Sequence, residues 1–402
     1  MTRKTYILGG GTFQPIRNHL SLSAPAFGTT ARLLQKLIPG SELVLTKMAD
    51  PDSKLLTNED VEQYLDTLIN DKEVGTIVLN IAFCDYKALP IDGIESGLHA
   101  DRLRTDNGDI TITLTPTDKI IAKIRKKRPD IFLIGFKTTT NKTSDEQFKI
   151  ALKMMKSVKC NLVLANDTVT RNNFVLTAEE TIYGESTNRI TSLSELAEMI
   201  IMRSNLTYNK THFTEDISYP IQETPNTFQE VMQFLIDNGG FIENNGNGFT
   251  PGHFCWKNSN TSFISSQRKA NHNLVFTEGM TIVNVESGET DIFTATGKRK
   301  PSVGARSQWM ILQENDGYDC IIHTHNPLLS SSSIPVAEQK PFQCGSLECG
   351  FNTVNNMAVV APGIKAVYLE KHGVNILFNS SANSNDIIEF IKSNIELGIK
   401  VK

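Results

Sequence analysis

The sequence is poor in the features that mark membrane, secreted and nucleic-acid-binding chains. No stretch approaches the ~18–20 consecutive apolar residues of a membrane helix. The opening "MTRKTYILGGGTF" has too short an apolar run for a leader peptide and no small-residue cleavage site. A cytoplasmic protein with no membrane partner is therefore expected. Cysteine is sparse, and Cys84, Cys160, Cys255, Cys320, Cys344 and Cys349 show no CxxC pairing. They read as reduced thiols, not as a disulfide framework, and "QCGSLECG" is by itself a weak metal signal. Charge is nearly balanced, with 40 Lys and Arg against 44 Asp and Glu for a net −4, which leaves no basic face for nucleic acid. The one basic run, "KIRKKRPD" from Lys123, reads as a solvated helix end. There is no internal repeat and no low-complexity tract.

What is present has two grammars. A length of 402 residues suits two domains of about 100–200 residues each. In the first half, apolar runs alternate with helical patterns: strands at "TYILGGG", "SELVLTK", "GTIVLNIAF", "DIFLIGFK" and "CNLVLAND", helices at "TTARLLQKLI", "NEDVEQYLDTLIND", "TDKIIAKIRKK", "SDEQFKIALKMMKSV" and "SLSELAEMIIM". An Asn and a Ser are the expected caps of the second and fourth helices. This alternation predicts an α/β fold with a doubly wound, Rossmann-like parallel sheet over residues 1–203. Residues 204–226 are polar, lack helical periodicity and read as a connector. Residues 227–402 open on the amphipathic "TFQEVMQFLIDNGGF", pass through short β-rich segments and close on "SNDIIEFIKSNIELGIK". That half is expected to be an α/β domain with a mixed central sheet.

The first strand ends in Gly9, Gly10 and Gly11, followed by Thr12. Glycines there let backbone amides approach a phosphate at a helix N-terminus, although a tight strand-to-helix turn explains them equally well. The spacing is neither GxGxxG nor a Walker loop. "GGGTFQPI", "IAFCDYKA", the segment ending "IGFKTTT" and "LVLANDTV" follow one another as in the phosphopantothenoylcysteine synthetase family, which this half resembles. The resemblance implies a CTP-type nucleotide site that includes Gly9, Gly10, Gly11, Thr12, Asp85, Ala165, Asn166 and Asp167. Ser21 stands where the family has Asn, Pro25 where it has Gly, and Arg102 and Arg104 where it has lysines.

In "IIHTHNPL", His323 and His325 fall on one face of a strand. A lone HxH is more often a satisfied polar cluster than a ligand pair. A third histidine, His372 in "YLEKHGVNILF", again accompanies an apolar strand, and a catalytic zinc takes three protein ligands and one open position. "IIHTHNP" and "EKHGV" resemble the metal motifs of the class II aldolase/adducin family, with "PGHFCWK", "TSFISSQRK" and "TGKRKPSVGARSQWMILQ" at its other landmarks. The resemblance implies Zn²⁺ or another divalent metal on His323, His325 and His372, and a substrate phosphate at Lys300 and Ser302. Gly304 falls where the family has its acid/base Glu, and His253 where it has Asn. His253 and Glu348 are then the candidates for proton transfer. The expected protein is a zinc-dependent lyase or isomerase acting on a phosphorylated or nucleotide-linked sugar, fused to a CTP-type nucleotide-binding domain and assembled as a homo-oligomer. The alternative is a phosphopantothenate–cysteine ligase-like enzyme carrying a degenerate, non-catalytic aldolase/adducin-like domain.

Overall fold

The computed structural model describes residues 3–91, 93–218, 223–243, 248–288 and 291–401. The chain divides into two compact units, Met1–Asn205 and Leu206–Lys402. The fold is α/β in both.

In the first unit, strands β1 (Lys4–Gly11), β2 (Glu42–Leu45), β3 (Val74–Ala82), β4 (Phe132–Thr139) and β5 (Leu162–Asp167) lie parallel in the order β2-β1-β3-β4-β5. Side chains alternate across this sheet. Tyr6, Leu8, Ile77, Leu79, Leu133 and Val163 pack on helices α2 (Asn58–Asn70), α3 (Ile120–Lys127) and α4 (Ser144–Val158). Ile7, Val78, Ile134, Leu162 and Leu164 pack on α1 (Thr29–Leu37) and α5 (Arg189–Arg203). Both faces are covered, so the strands read as continuous apolar runs, the mark of a doubly wound parallel sheet. Each fully buried Leu or Ile contributes about 1.5–3 kcal/mol.

Two strands not expected from the sequence, β6 (Asn173–Thr177) and β7 (Ile182–Ser186), extend the sheet antiparallel beyond β5. The capping residues also differ from expectation. Thr57 and Thr143, each one residue earlier, cap α2 and α4, and both close capping boxes with Asp60 and Glu146. A threonine hydroxyl facing an acid three residues on satisfies two orphan N–H groups at once. The basic run ends α3 as expected, but it is tethered. Lys123 pairs with Glu62 and Asp66, Lys127 with Asp66 and Arg128 with Asp130, and Arg128 also donates to the carbonyls of Ile69, Asp71 and Val74.

The second unit is built on a mixed sheet. Its strands are β8 (Lys210–Glu215), β9 (His253–Ser259), β10 (Ser262–Ser265), β11 (Thr281–Glu286), β12 (Ile292–Gly297), β13 (Cys320–Thr324), β14 (Val336–Ala337), β15 (Ala358–Ala361), β16 (Ile364–Leu369) and β17 (Gly373–Phe378). The order is β8-β12-β11-β10-β9-β13-β17-β16-β14, with β15 also paired to β16. Part of the stretch read as a connector is thus a strand: β8 pairs parallel with β12. Its residues 219–222 lie outside the described residues.

One face of this sheet, with Phe254, Trp256, Ile322, Ile376 and Phe378, is covered by α6 (Asn226–Asp237) and α9 (Ser384–Asn394). The other, with Cys255, Phe263, Ile321 and Leu377, packs on α7 (Ala305–Gln313). By this alternation His253 and His323 share the α7 face. Helix α8 (Leu347–Asn356) is capped by Ser346.

Candidate metal centre

Three histidines converge in the second unit. His323 lies in β13 and His325 just past its end, while His372 sits in the tight turn from β16 to β17, where its N–H donates to Leu369 O at 2.9 Å. Gly373 makes the turn fit, because a Cβ there would stand 2.0 Å from Thr324 O. The ligand atoms of His323, His325 and His372 all lie within 4.8 Å of one another. Ring centroids are 4.9 Å apart for His323–His325, 4.7 Å for His323–His372 and 4.7 Å for His325–His372.

The site's electrostatics suit a cation ligand set. Burial, then the neighbouring histidines, hold the pKa values of His323 and His325 well below the ordinary imidazole value, and only the Val374 backbone favours charge on His323. Neutral imidazole is the metal-binding form. Both ring nitrogens of His323 are buried without a hydrogen-bond partner of good geometry, an arrangement that costs about 1–3 kcal/mol per group unless something occupies them. Three imidazoles able to reach one ion match the ligand number of a catalytic zinc site. The residues fit a three-histidine divalent site.

A fourth histidine adjoins them. His253 in β9 is directly opposite His323 in antiparallel register, and the two rings stack at 4.7 Å. Burial pushes the His253 pKa down to about 3. Its Nε2 lies 3.7 Å from Cys344 Sγ, and Gln308 donates to its backbone oxygen. Gly304 is what admits this ring, since a Cβ at 304 would sit 2.1 Å from His253 Nε2. Behind it, the buried His272 is bonded to Thr250 Oγ1 at 2.6 Å and stacks on Phe241.

The chain's last residues also reach the site. Val401 N–H donates to His325 O, Gly398 N–H to Gly239 O, and Asn326 Nδ2 bridges Gly239 O and Ile399 O. A narrow cleft at this point is lined by Gly240, Pro251, His325, Asn326 and Lys400.

The remaining candidate residues lie as follows. Lys300 lines an open depression of about 380 Å³ together with Phe249, Arg268, Lys269 and Arg299. The sequence reading missed the other three cations, although "QRK" and "KRK" spell them out. Ser302 is held by its N–H on Ser266 O, and its Oγ accepts from Gly304 N–H at 3.4 Å. Glu348, in the first turn of α8, accepts the Thr207 N–H on both carboxylate oxygens and is not part of the histidine cluster.

In the first unit the three glycines are tightly packed. A Cβ at Gly9, Gly10 or Gly11 would stand 2.3 Å from Ala31 Cβ, 2.1 Å from Thr46 Oγ1 or 2.0 Å from Ala24 O. Thr12 Oγ1 donates to Asn58 Oδ1 and accepts from Cys84 N–H. Asp85 is exposed and paired with Lys119 at 2.6 Å. Ala165 is fully buried, and Asn166 accepts from Thr138. Asp167 accepts from the N–H groups of Asn141, Lys142, Val169 and Thr170 and from the Thr139 hydroxyl. Burial opposes its charge, but these donors prevail and hold its pKa well below the ordinary carboxylate value.

Fold and site together define a chain of two α/β units, the second with a histidine cluster able to hold a metal ion. Comparison with known proteins adds that residues 48–203 match the family model of the DNA/pantothenate metabolism flavoprotein C-terminal domain. Over 174 residues the chain is 25% identical to the coenzyme A biosynthesis bifunctional protein CoaBC of Thermococcus kodakarensis, covering 41% of each chain. The chain thus spans about two-fifths of the length of that curated relative. Half of the chain superposes on 96% of the DNA/pantothenate metabolism flavoprotein from Streptococcus pneumoniae, with TM-score 0.41 and 19% identity. Another part weakly matches L-fuculose 1-phosphate aldolase, with TM-score 0.29 and 18% identity over 43% of this chain and 84% of that one. Among the described residues, no helix is long and apolar enough to cross a membrane.

Proposed function

We propose that this protein is a metal-dependent lyase or isomerase of class II aldolase type, acting on a phosphorylated or nucleotide-linked sugar. One observation carries the reading: the mutual approach within 4.8 Å of His323, His325 and His372. These residues would hold the divalent ion, zinc by donor chemistry. When bound, the metal supplies Lewis acidity to a substrate carbonyl. The chain's own residues do the rest. Arg268, Lys269, Arg299 and Lys300 present an exposed basic depression to an anionic group of the substrate, and Ser302 follows two residues after Lys300. His253 borders the cluster on the α7 side and fixes its shape by stacking on His323.

We assign nucleotide binding, of CTP type, to residues 1–203 and the metal chemistry to residues 227–402. The protein works in the cytoplasm, as a homo-oligomer, on small molecules and not on nucleic acid. A second reading, favoured by the match of residues 48–203, is a ligase-like enzyme of the phosphopantothenate–cysteine type with a non-catalytic second unit.

Metal analysis separates the two. Protein expressed in zinc-replete medium is expected to carry about one metal per chain, and His323→Ala to carry none. A metal-free wild type refutes the first reading. Thermal shifts with CTP, ATP and sugar phosphates test both units, since a ligand raises apparent stability by mass action.

A further inference from the structure

The cluster has three imidazoles for a metal, but among the described residues no carboxylate joins it. Carbonyl chemistry at a metal still requires a group that carries a proton. His253 adjoins the cluster, yet it is sealed: 7% of it is exposed, and one side of its ring is covered by His323. Its Nε2 points instead at a thiol, Cys344 Sγ, 3.7 Å away.

Cys344 differs from the other cysteines. It is half-buried, whereas Cys84, Cys160, Cys255, Cys320 and Cys349 are buried. Two glycines determine its location. At Gly345, where φ is +84°, a Cβ would stand 2.3 Å from Val303 O, so the segment bearing Cys344 lies directly on the Val303–Gly304 backbone. At Gly304, the missing side chain leaves its volume to the His253 ring. The thiol is thereby brought to the outer edge of the imidazole that stacks on His323. Buried nitrogen and half-open sulfur are contributed by β9 and by the loop before α8, 91 residues apart in sequence.

We infer that Cys344 is a catalytic residue of the metal centre, the thiol that exchanges a proton with substrate, and that His253 is the residue that positions it. This inference rests on the metal-dependent reading above. In the transfer, a C–H bond beside the substrate carbonyl breaks and an S–H bond forms on the Cys344 thiolate. The electron pair left on carbon moves into the carbonyl to give an enediolate. Return of the proton from sulfur to carbon regenerates the thiolate, with no other reactant consumed. A divalent cation held by His323, His325 and His372 would supply positive charge that favours the thiolate, as positive neighbours do for reactive cysteines.

The test uses the full chain, zinc-loaded or stripped with EDTA, with iodoacetamide at pH 7 and mass spectrometry of the alkylated sites. Cys344 is expected to react ahead of the other five cysteines. Its rate should rise about tenfold with zinc, the equivalent of about one pKa unit, and His253→Gln should diminish the rise. With zinc shown to be bound, an unchanged rate overturns the inference. So does a slower rate, because protection would mean that the sulfur ligates the metal. Absence of zinc from the wild type removes the metal reading and this inference together, and metal analysis distinguishes that case. The second arm follows deuterium uptake from D₂O by dihydroxyacetone phosphate. Cys344→Ala should lose at least about 100-fold of the wild-type exchange rate, in line with the worth of a general acid–base, with metal content and melting temperature retained. Cys344→Ser, with its less acidic hydroxyl, should recover little. Undiminished exchange in Cys344→Ala overturns the inference. If the wild type does not exchange this probe, the alkylation result decides.

Discussion

Replacing Gly304 by alanine adds one methyl group, and the structure says where it goes. The backbone at 304 has φ −71° and ψ −13°, so an L-residue is accommodated without strain. The new Cβ, however, would stand 2.1 Å from His253 Nε2 and 2.4 Å from Cδ2 and Cε1. That is about 1.4 Å inside the ~3.5 Å at which such atoms rest in contact. The ring cannot simply swing away, because His323 lies against its face and Cys344 against its edge. Overpacking of this kind costs about 1–3 kcal/mol. At roughly 2–4 °C per kcal/mol for a domain of 150–250 residues, the second unit should melt about 2–12 °C lower. The two units need not unfold together, so calorimetry with separate transitions is the suitable assay. In a His253→Ala background the methyl has room, and the double-mutant cycle should show a coupling of at least about 1 kcal/mol. Zinc occupancy should fall in the single mutant and recover in the double. If Gly304→Ala is within about 0.5 kcal/mol of wild type, or costs the same without His253, the steric reasoning is refuted.

Three further outcomes are expected. Adding zinc to stripped protein should raise the melting temperature of the second unit in wild type and leave His323→Ala and His372→Ala unmoved, since only a folded site binds the ion. Acid should destabilise the first unit through Asp130 and Asp167. Arg128 is the main cause holding Asp130 at about 2, and hydrogen-bond donors hold Asp167 low; both folded values lie below the unfolded ~3.9, so the stabilisation is present above about pH 4 and lost as pH falls toward 2. Asp130→Asn with Asp167→Asn should flatten that part of the curve measured by urea unfolding. Lastly, Arg203 and Glu179 form a buried ion pair at 2.9 Å, with side chains 1% and 2% exposed. Arg203→Met alone should cost about 3–5 kcal/mol by denaturant titration, and Arg203→Met with Glu179→Leu should recover most of it; equal losses in the two would contradict the pairing.

The parallel core of the first unit was legible because its strands are buried on both faces and write themselves as unbroken apolar runs. Strands β6 and β7 were not, because "NNFVLTAEETIYGES" breaks its apolar pattern at Glu179 and Glu180, and the turn depends on Glu180 taking a φ of +67°. Strand β8 escaped because it is exposed at most positions and, among the described residues, pairs with β12 alone, so it carries little hydrophobic signal. At the histidine cluster, HxH and the later HG were visible in the letters, since a strand and a tight turn need only local rules. Cys344 was invisible as a partner of His253 because their contact depends on two loops meeting across Gly345 and Val303. Glu348 is a candidate for proton transfer in the sequence, yet its carboxylate accepts the backbone N–H of Thr207, 141 residues away.

The segment from Gly398 to Val401 holds the backbone of His325 through Val401 N–H and clasps Asn326 through Ile399 O. One histidine of the candidate cluster is therefore braced by residues with no coordinating atom of their own. A protein shortened to end at residue 397 would keep all three imidazoles and is expected to bind zinc more weakly.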